Sequence, residues 1–176
     1  MVQEARLERT EYGLAPATEG WFAVNVRDAA WMTDEVFGDA CVIEGDAVAF
    51  PQVGYTLAVL RPGQPNGMYH REDDQEDFLV LSGECVLLVE GEERPLRAWD
   101  FVHCPAGTEH VFVGAGDGPC AVLMIGSRRE DAAHYPVSEV AAKYDASVSE
   151  ETDEPSVAYA DWRRVPWERT TNPWPL

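Results

Sequence analysis

Four polar side chains near the middle of the chain have the types and spacing that metal coordination or proton transfer requires: His70, Glu72, Glu76 and His110. His70 and Glu72 stand at i and i+2 in a strand-like run, so both leave the same face. Asp73-Asp74-Gln75 reads as a tight turn, and antiparallel pairing across it brings Glu76 beside the first two. His110 opens another strand after the turn Pro105-Ala106-Gly107. Two imidazoles with one or two carboxylates make an ordinary shell for one divalent ion, with Zn, Mn and Fe all suited to it. The remaining histidines fit less well. On Phe101-Val102-His103-Cys104, inward Val102 and Cys104 leave His103 facing outward, and His134 lies in an acidic connector beyond the strands.

The elements that must position these residues run from about Tyr55 to Gly126. Short apolar segments there (YTLAVLRP, GMYHRE, EDFLVLSG, ECVLLVEG, EERPLRAW, DFVHCP, EHVFVG and PCAVLMIG) are cut by turn residues such as Gly83, Gly91, Gly107 and Gly114-Ala-Gly-Asp-Gly118. Glu90-Gly91 has the form of a hairpin tip. Strands in such quick succession are mostly antiparallel, because parallel neighbours need crossovers of a dozen or more residues. Alternation puts Phe78 and Val80 on the face of Glu76, and Phe112 on the face of His110. These three are either pocket lining around a polar centre or simply barrel core.

The run from Gly63 through His70, Glu72 and Glu76 to Gly83 resembles the first motif of the cupin superfamily, H-x-H, a short gap, Glu, six residues and Gly. The run from Trp99 through Pro105, Gly107 and His110 to Gly114 resembles the second, P-x-G, two residues and His. Fifteen residues, 84–98, separate them. The resemblance spans about residues 53–126 and implies an all-β fold: an antiparallel double-sheet jelly-roll barrel, commonly dimeric, often with one metal inside. It places His70, Glu76 and His110 on family ligand positions. Glu72 stands where the family has its second His, Trp99 where the second motif starts with Gly, and Gly114 where it ends with Asn. The Glu72 change bears on the metal shell: two His and two carboxylates bring a divalent ion to a net charge of about 0, against about +1 for three His and one carboxylate. Three roles for Glu72 stand open: a fourth ligand, a general base beside a triad of His70, Glu76 and His110, or a hydrogen-bonded group in a polar pocket without metal.

Flanking this core (53–126), residues 1–52 read as an N-terminal arm with short strand and helix packing on the barrel, and residues 127–176 as a C-terminal helix and tail. In the arm, GWFAVNV at 20–26 is strand-like, and Asp28 is placed to cap a short helix that Gly38 ends. Behind Pro136, Val137, Val140, Ala141, Tyr144 and Val148 recur at helical spacing. The tail carries Trp162, Trp167 and Trp174, too many for a wholly solvated segment, so part of it is expected against the barrel or a partner subunit.

A net charge of −19 argues against nucleic acid or an anionic membrane surface as partner. The longest apolar run, Ala121 to Ile125, cannot span a bilayer, and the N-terminus shows no secretory signal, so the expectation is a cytoplasmic protein. Cys41, Cys85, Cys104 and Cys120 form no CxxC pair and read as buried thiols. No GxSxG elbow, P-loop, HExxH or EF-hand loop occurs. The cupin resemblance then implies a barrel, commonly homodimeric, that binds a small organic molecule. One class is a metal-dependent oxygenase, isomerase or lyase; another is a non-catalytic sugar or metabolite sensor with the same pocket; a storage-like role is the third. Shared folds host many chemistries and do not separate these.

Overall fold

A computed structural model describes residues 1–44, 48–129, 133–162 and 167–173. An N-terminal hairpin pairs β1 (Leu7–Arg9) with β2 (Leu14–Pro16), and a second pairs β3 (Ala30–Asp34) with β4 (Gly38–Val42). Then come β5 (Val53–Leu60), β6 (Arg71–Glu72), β7 (Glu76–Ser82), β8 (Glu84–Val89), β9 (Glu92–Arg97), β10 (Phe101–Cys104), β11 (His110–Ala115) and β12 (Cys120–Ser127). The C-terminal part holds β13 (Ala133–His134), the single turns α1 (Glu139–Ala142) and α2 (Pro155–Ala158), and β14 (Glu168–Thr170).

The two larger sheets are antiparallel. One has the order β10-β7-β12-β5-β4-β3-β14 and the other β11-β8-β9. Between them lies one apolar cluster drawn from both: Leu60, Phe78, Val80, Cys85, Leu87, Cys104, Phe112, Cys120 and Val122. Alternate residues of the same strands face outward and are also covered. Leu88, Val111 and Val113 meet Tyr69, Ala141 and Ala146 of the flanking chain, which is why the run at His110–Gly114 is buried on both faces. Leu57, Val59 and Ala121 meet Trp31, Cys41 and, from the N-terminal segment, Val24 and Val26.

The expected strands are found with boundaries shifted by a residue or two, except that GMYHRE at 67–72 forms only the two-residue β6, with His70 in an isolated bridge before it. Glu90 and Gly91, at φ +50° and +78°, form the two-residue tip between β8 and β9, the left-handed pair that matches strand twist. All four cysteines are free and buried.

Three expectations about the flanks need correction. The helix expected from Asp28 to Gly38 is instead the β3–β4 hairpin. The Asp34 carboxylate accepts the backbone N–H groups of Val36 and Phe37 at 2.7 and 2.9 Å, and Gly38 takes φ +86°. Local side-chain bonding thus turns the chain, and burial of Trp31 against the barrel sheet holds the strand. Residues 20–26 make no strand; only Trp21 bridges, to Glu4. The amphipathic C-terminal helix is one turn. Ser138 caps it through its hydroxyl, Asp145 turns out at φ +55°, and the carbonyl of Ala146 accepts Tyr69 N–H at 2.7 Å. Burying Ala141 and Ala146 against the barrel competes with propagating the helix and wins. In the tail, Trp162 lies edge-on to Phe37 at 6.0 Å, Trp167 is exposed, β14 extends the large sheet beside β3, and Trp174 falls outside the described residues. No helix among the described residues is long and apolar enough to cross a membrane.

Candidate metal centre

His70 and His110 face each other across an isolated antiparallel bridge. Each backbone N–H donates to the other's carbonyl, at 3.1 Å from His70 and 2.7 Å from His110. This pairing sets the two rings 4.9 Å apart by their centroids. Each ring is oriented by the same device. Nδ1 of His70 donates to the Met68 carbonyl at 2.8 Å, and Nδ1 of His110 to the Thr108 carbonyl at 3.0 Å. A carbonyl only accepts, so the proton is on Nδ1 in both, and both Nε2 lone pairs are free for a Lewis acid.

Glu76, at the start of β7, completes the group. Its Oε2 lies 3.4 Å from Nε2 of His110, and one donor atom each from His70, Glu76 and His110 fall within 4.8 Å of one another. Burial and the nearby Glu72 carboxylate raise the Glu76 carboxyl to about 8. Burial and the His70 ring lower His110 to about 4, and burial lowers His70. Two neutral imidazoles beside a carboxyl held from ionising describe a site short of one positive centre. The donor set and its electrostatics therefore fit a divalent cation, which would take the place of the Glu76 proton.

Glu72 lies outside the convergent three, though it acts on the charge of Glu76. Burial and then Asp74 raise its own carboxyl. Its backbone carbonyl accepts Gly107 N–H at 2.7 Å, tying β6 to the Pro105–Gly107 turn that precedes His110. Phe78 meets His110 at 5.2 Å and Phe112 at 4.7 Å between ring centroids, so these two floor the site. Val80 sits deeper, opposite Val122. His103 faces out and bonds Asp77 at 2.8 Å, and His134 bonds Asp153; neither joins the group.

Sequence reading missed the cover. β13 pairs with β6, Ala133 opposite Glu72, and carries Tyr135 to 6.0 Å from the His70 ring. Tyr135 is buried, stands edge-on to Tyr159 at 5.8 Å, and has its hydroxyl raised by burial, Tyr159 and Glu72. Nothing in the spacing of an acidic connector marks it; an unneeded aromatic before Pro136 was the sole hint. Cations near the mouth are engaged: Arg71 lies 3.7 Å from Glu109, and Arg129 lies 3.2 Å from Asp73 and 3.4 Å from Asp74.

Residues 56–126 match the family described as Cupin domain. Among solved structures, a cupin-superfamily sugar phosphate isomerase from Silicibacter pomeroyi is 27% identical, over 61% of this chain and 76% of its own, with a TM-score of 0.52. The polyketide cyclase RemF from Streptomyces resistomycificus is 16% identical, over 62% of this chain and 80% of its own, with a TM-score of 0.54, a likeness of fold alone. A protein from Acidithiobacillus ferrooxidans, assigned only provisionally by its name to the sugar phosphate isomerases, is 29% identical, with a TM-score of 0.47. It overlaps 55% of this chain, which spans 64% of that protein's length. No curated protein matches the sequence.

Proposed function

We propose that this protein, a cupin-superfamily domain over residues 56–126, is a metal-dependent enzyme that moves a proton on a small hydroxy-carbonyl molecule. One observation carries the reading: three donors converge while a fourth carboxylate, Glu72, stands beside them outside the set. His70, Glu76 and His110 would hold the ion, whose chemistry is to polarise a substrate oxygen. Glu72 takes a proton from the hydroxyl-bearing carbon next to the carbonyl and returns it to the carbonyl carbon, while the substrate's hydroxyl proton passes to the former carbonyl oxygen, so that the carbonyl and the hydroxyl exchange places. The exchange needs neither oxidant nor reductant. Burial, and then Asp74, raise the Glu72 carboxyl, which makes it a stronger base than an exposed carboxylate. Phe78 and Phe112 close the floor and keep water from the reacting carbon, and Tyr135 walls the His70 side.

The substrate class follows from charge. Glu72, Asp73 and Asp74 cluster at the mouth, and the adjacent Arg71 and Arg129 are engaged by carboxylates. An uncharged sugar-like carbonyl compound is favoured over its phosphate, although the Silicibacter pomeroyi relative is named for sugar phosphates.

Metal analysis of protein purified without chelator should find about one divalent ion per chain, falling at least roughly tenfold in His70→Ala and His110→Ala. Deuterium uptake from D2O into a panel of aldoses and ketoses, free and phosphorylated, should be seen with wild type and lost in Glu72→Gln at unchanged metal content. Wild-type metal content in both His variants would sink the metal reading. Metal without any uptake across the panel would leave a binding protein in place of an enzyme.

A further inference from the structure

We infer that Tyr159, at the end of α2 and far from the barrel in sequence, is a positioning residue that sets the orientation of the His70 ring. The stretch that delivers His70 runs between β5 and β6 with no continuous strand partner. Its amides are taken one by one: Asn66 N–H by the Phe112 carbonyl at 3.0 Å, Tyr69 N–H by the Ala146 carbonyl at 2.7 Å, and Met68 N–H by the Tyr159 hydroxyl at 3.1 Å. Of these three partners the last is a side chain, and it comes from 91 residues away. Met68 is also the residue whose carbonyl accepts His70 Nδ1–H. Both polar groups of Met68 are thus committed, one to Tyr159 and the other to His70.

The hydroxyl is held in place. Tyr159 follows α2 directly, its N–H bonds the Pro155 carbonyl at 3.0 Å, and its ring stands edge-on to Phe37 at 5.4 Å and to Tyr135 at 5.8 Å. The fit is close: a Cβ on Gly67 would stand 3.0 Å from the hydroxyl oxygen, so the Tyr159 ring would have to give by a few tenths of an ångström. Met68 is buried, so its N–H has no water to fall back on when the hydroxyl is removed. The loop then shifts to find a partner, and the Met68 carbonyl and the His70 ring move with it. His110 does not share this dependence, because the Thr108 carbonyl that holds it sits in its own tight turn, where Thr108 N–H bonds Pro105 at 3.1 Å.

The inference rests on the proposed metal role only where affinity is measured, so the test has a metal-free arm. In 15N-histidine spectra of metal-free protein, Tyr159→Phe should speed exchange of the His70 Nδ1 proton at least about tenfold and leave the His110 proton unchanged. Gly67→Ala should reproduce the same selective change more weakly. Cobalt(II) affinity should fall roughly tenfold in Tyr159→Phe, the effect expected of an outer partner of a ligating histidine. Trp162→Phe, which loses packing against Phe37 and keeps the Met68 bond, should stay within about twofold of wild type in both measurements. Unchanged His70 exchange in Tyr159→Phe, or an equal change in Trp162→Phe, overturns the inference. Wild-type protein that takes no cobalt ends the metal reading, while the histidine spectra still decide the role of Tyr159.

Discussion

The two ends of the barrel interior are made by the same strands and differ in almost everything else. At one end β7 and β11 present Glu76 and His110. Two residues further along each strand come Phe78 and Phe112, their rings tilted at 45° with centroids 4.7 Å apart. Beyond them the layer is Val80 with Val122 and Leu60 with Cys120, and Cys85 stands opposite Gly114. The hydrogen bond with Cys120, and then burial, push the Cys85 thiol up. The glycines show why one end accepts polar groups and the other does not. At the far end a Cβ on Gly114 would meet the Arg61 carbonyl oxygen at 2.1 Å, and one on Gly83 the Pro119 oxygen at 2.5 Å. At the site end a Cβ on Gly126 would stand an ordinary 3.7 Å from Glu76, and one on Gly107 would meet nothing within 4 Å. At Gly114 and Gly83 backbone closes directly on backbone, whereas at the polar end β13 and Tyr135 add a cover of side chains. Polar groups are accommodated where the lid is made of side chains and turns.

The comparison can be broken most directly by filling the seal. Gly114→Ala should cost more than about 4 kcal/mol in denaturant unfolding, because the clash is with backbone and cannot be relieved by a rotamer. Gly126→Ala, at the site end, should stay within about 0.5 kcal/mol. Equal effects would mean that the two ends are not differently closed.

A smaller effect, on the order of 2 kcal/mol, is expected from pH at the polar end. Glu76 titrates at about 8 in the fold against an ordinary 4.5, so the native state keeps a proton that the unfolded chain has lost between those values. The stability this confers is complete below about pH 4.5 and is lost as pH rises through 8. His110, lowered from 6.5 to about 4, acts in the opposite direction: its contribution is lost as pH falls below 6.5. Chelator-treated protein should therefore lose stability between pH 6.5 and 9, where His110 no longer contributes to the slope. Glu76→Gln should remove that loss. A wild-type slope in Glu76→Gln would show that the polar end carries no such strain.

The mildest test concerns the turn that enters the dry end. Trp99 sits at φ +75°, exposed, with its N–H on the Val80 carbonyl at 2.7 Å. Left-handed backbone costs a non-glycine residue about 1–3 kcal/mol, so Trp99→Gly should raise stability by about 1 kcal/mol after the extra unfolded-state entropy of glycine. A loss instead would show that the indole has a stabilising contact in solution.

Alternation of apolar residues and the positions of Gly and Pro determined the barrel strands, the Glu90-Gly91 hairpin, the outward His103 and the convergence of His70, Glu76 and His110. Each of these depends on the two-residue period of a strand, which is written locally. The same local reading failed at residues 28–38 and 137–148. The cap and stop signals at Asp28 and Gly38 and the helical spacing behind Pro136 were real, but burial of Trp31 in the first case and of Ala141 and Ala146 in the second decided the outcome. Glu72 could be placed beside the site from sequence, yet its position outside the three donors depended on the fold. Tyr135 and Tyr159 were legible only in three dimensions. They reach the site through pairing and packing between segments some 60 to 90 residues apart, and long-range contact leaves no periodicity in the chain that makes it.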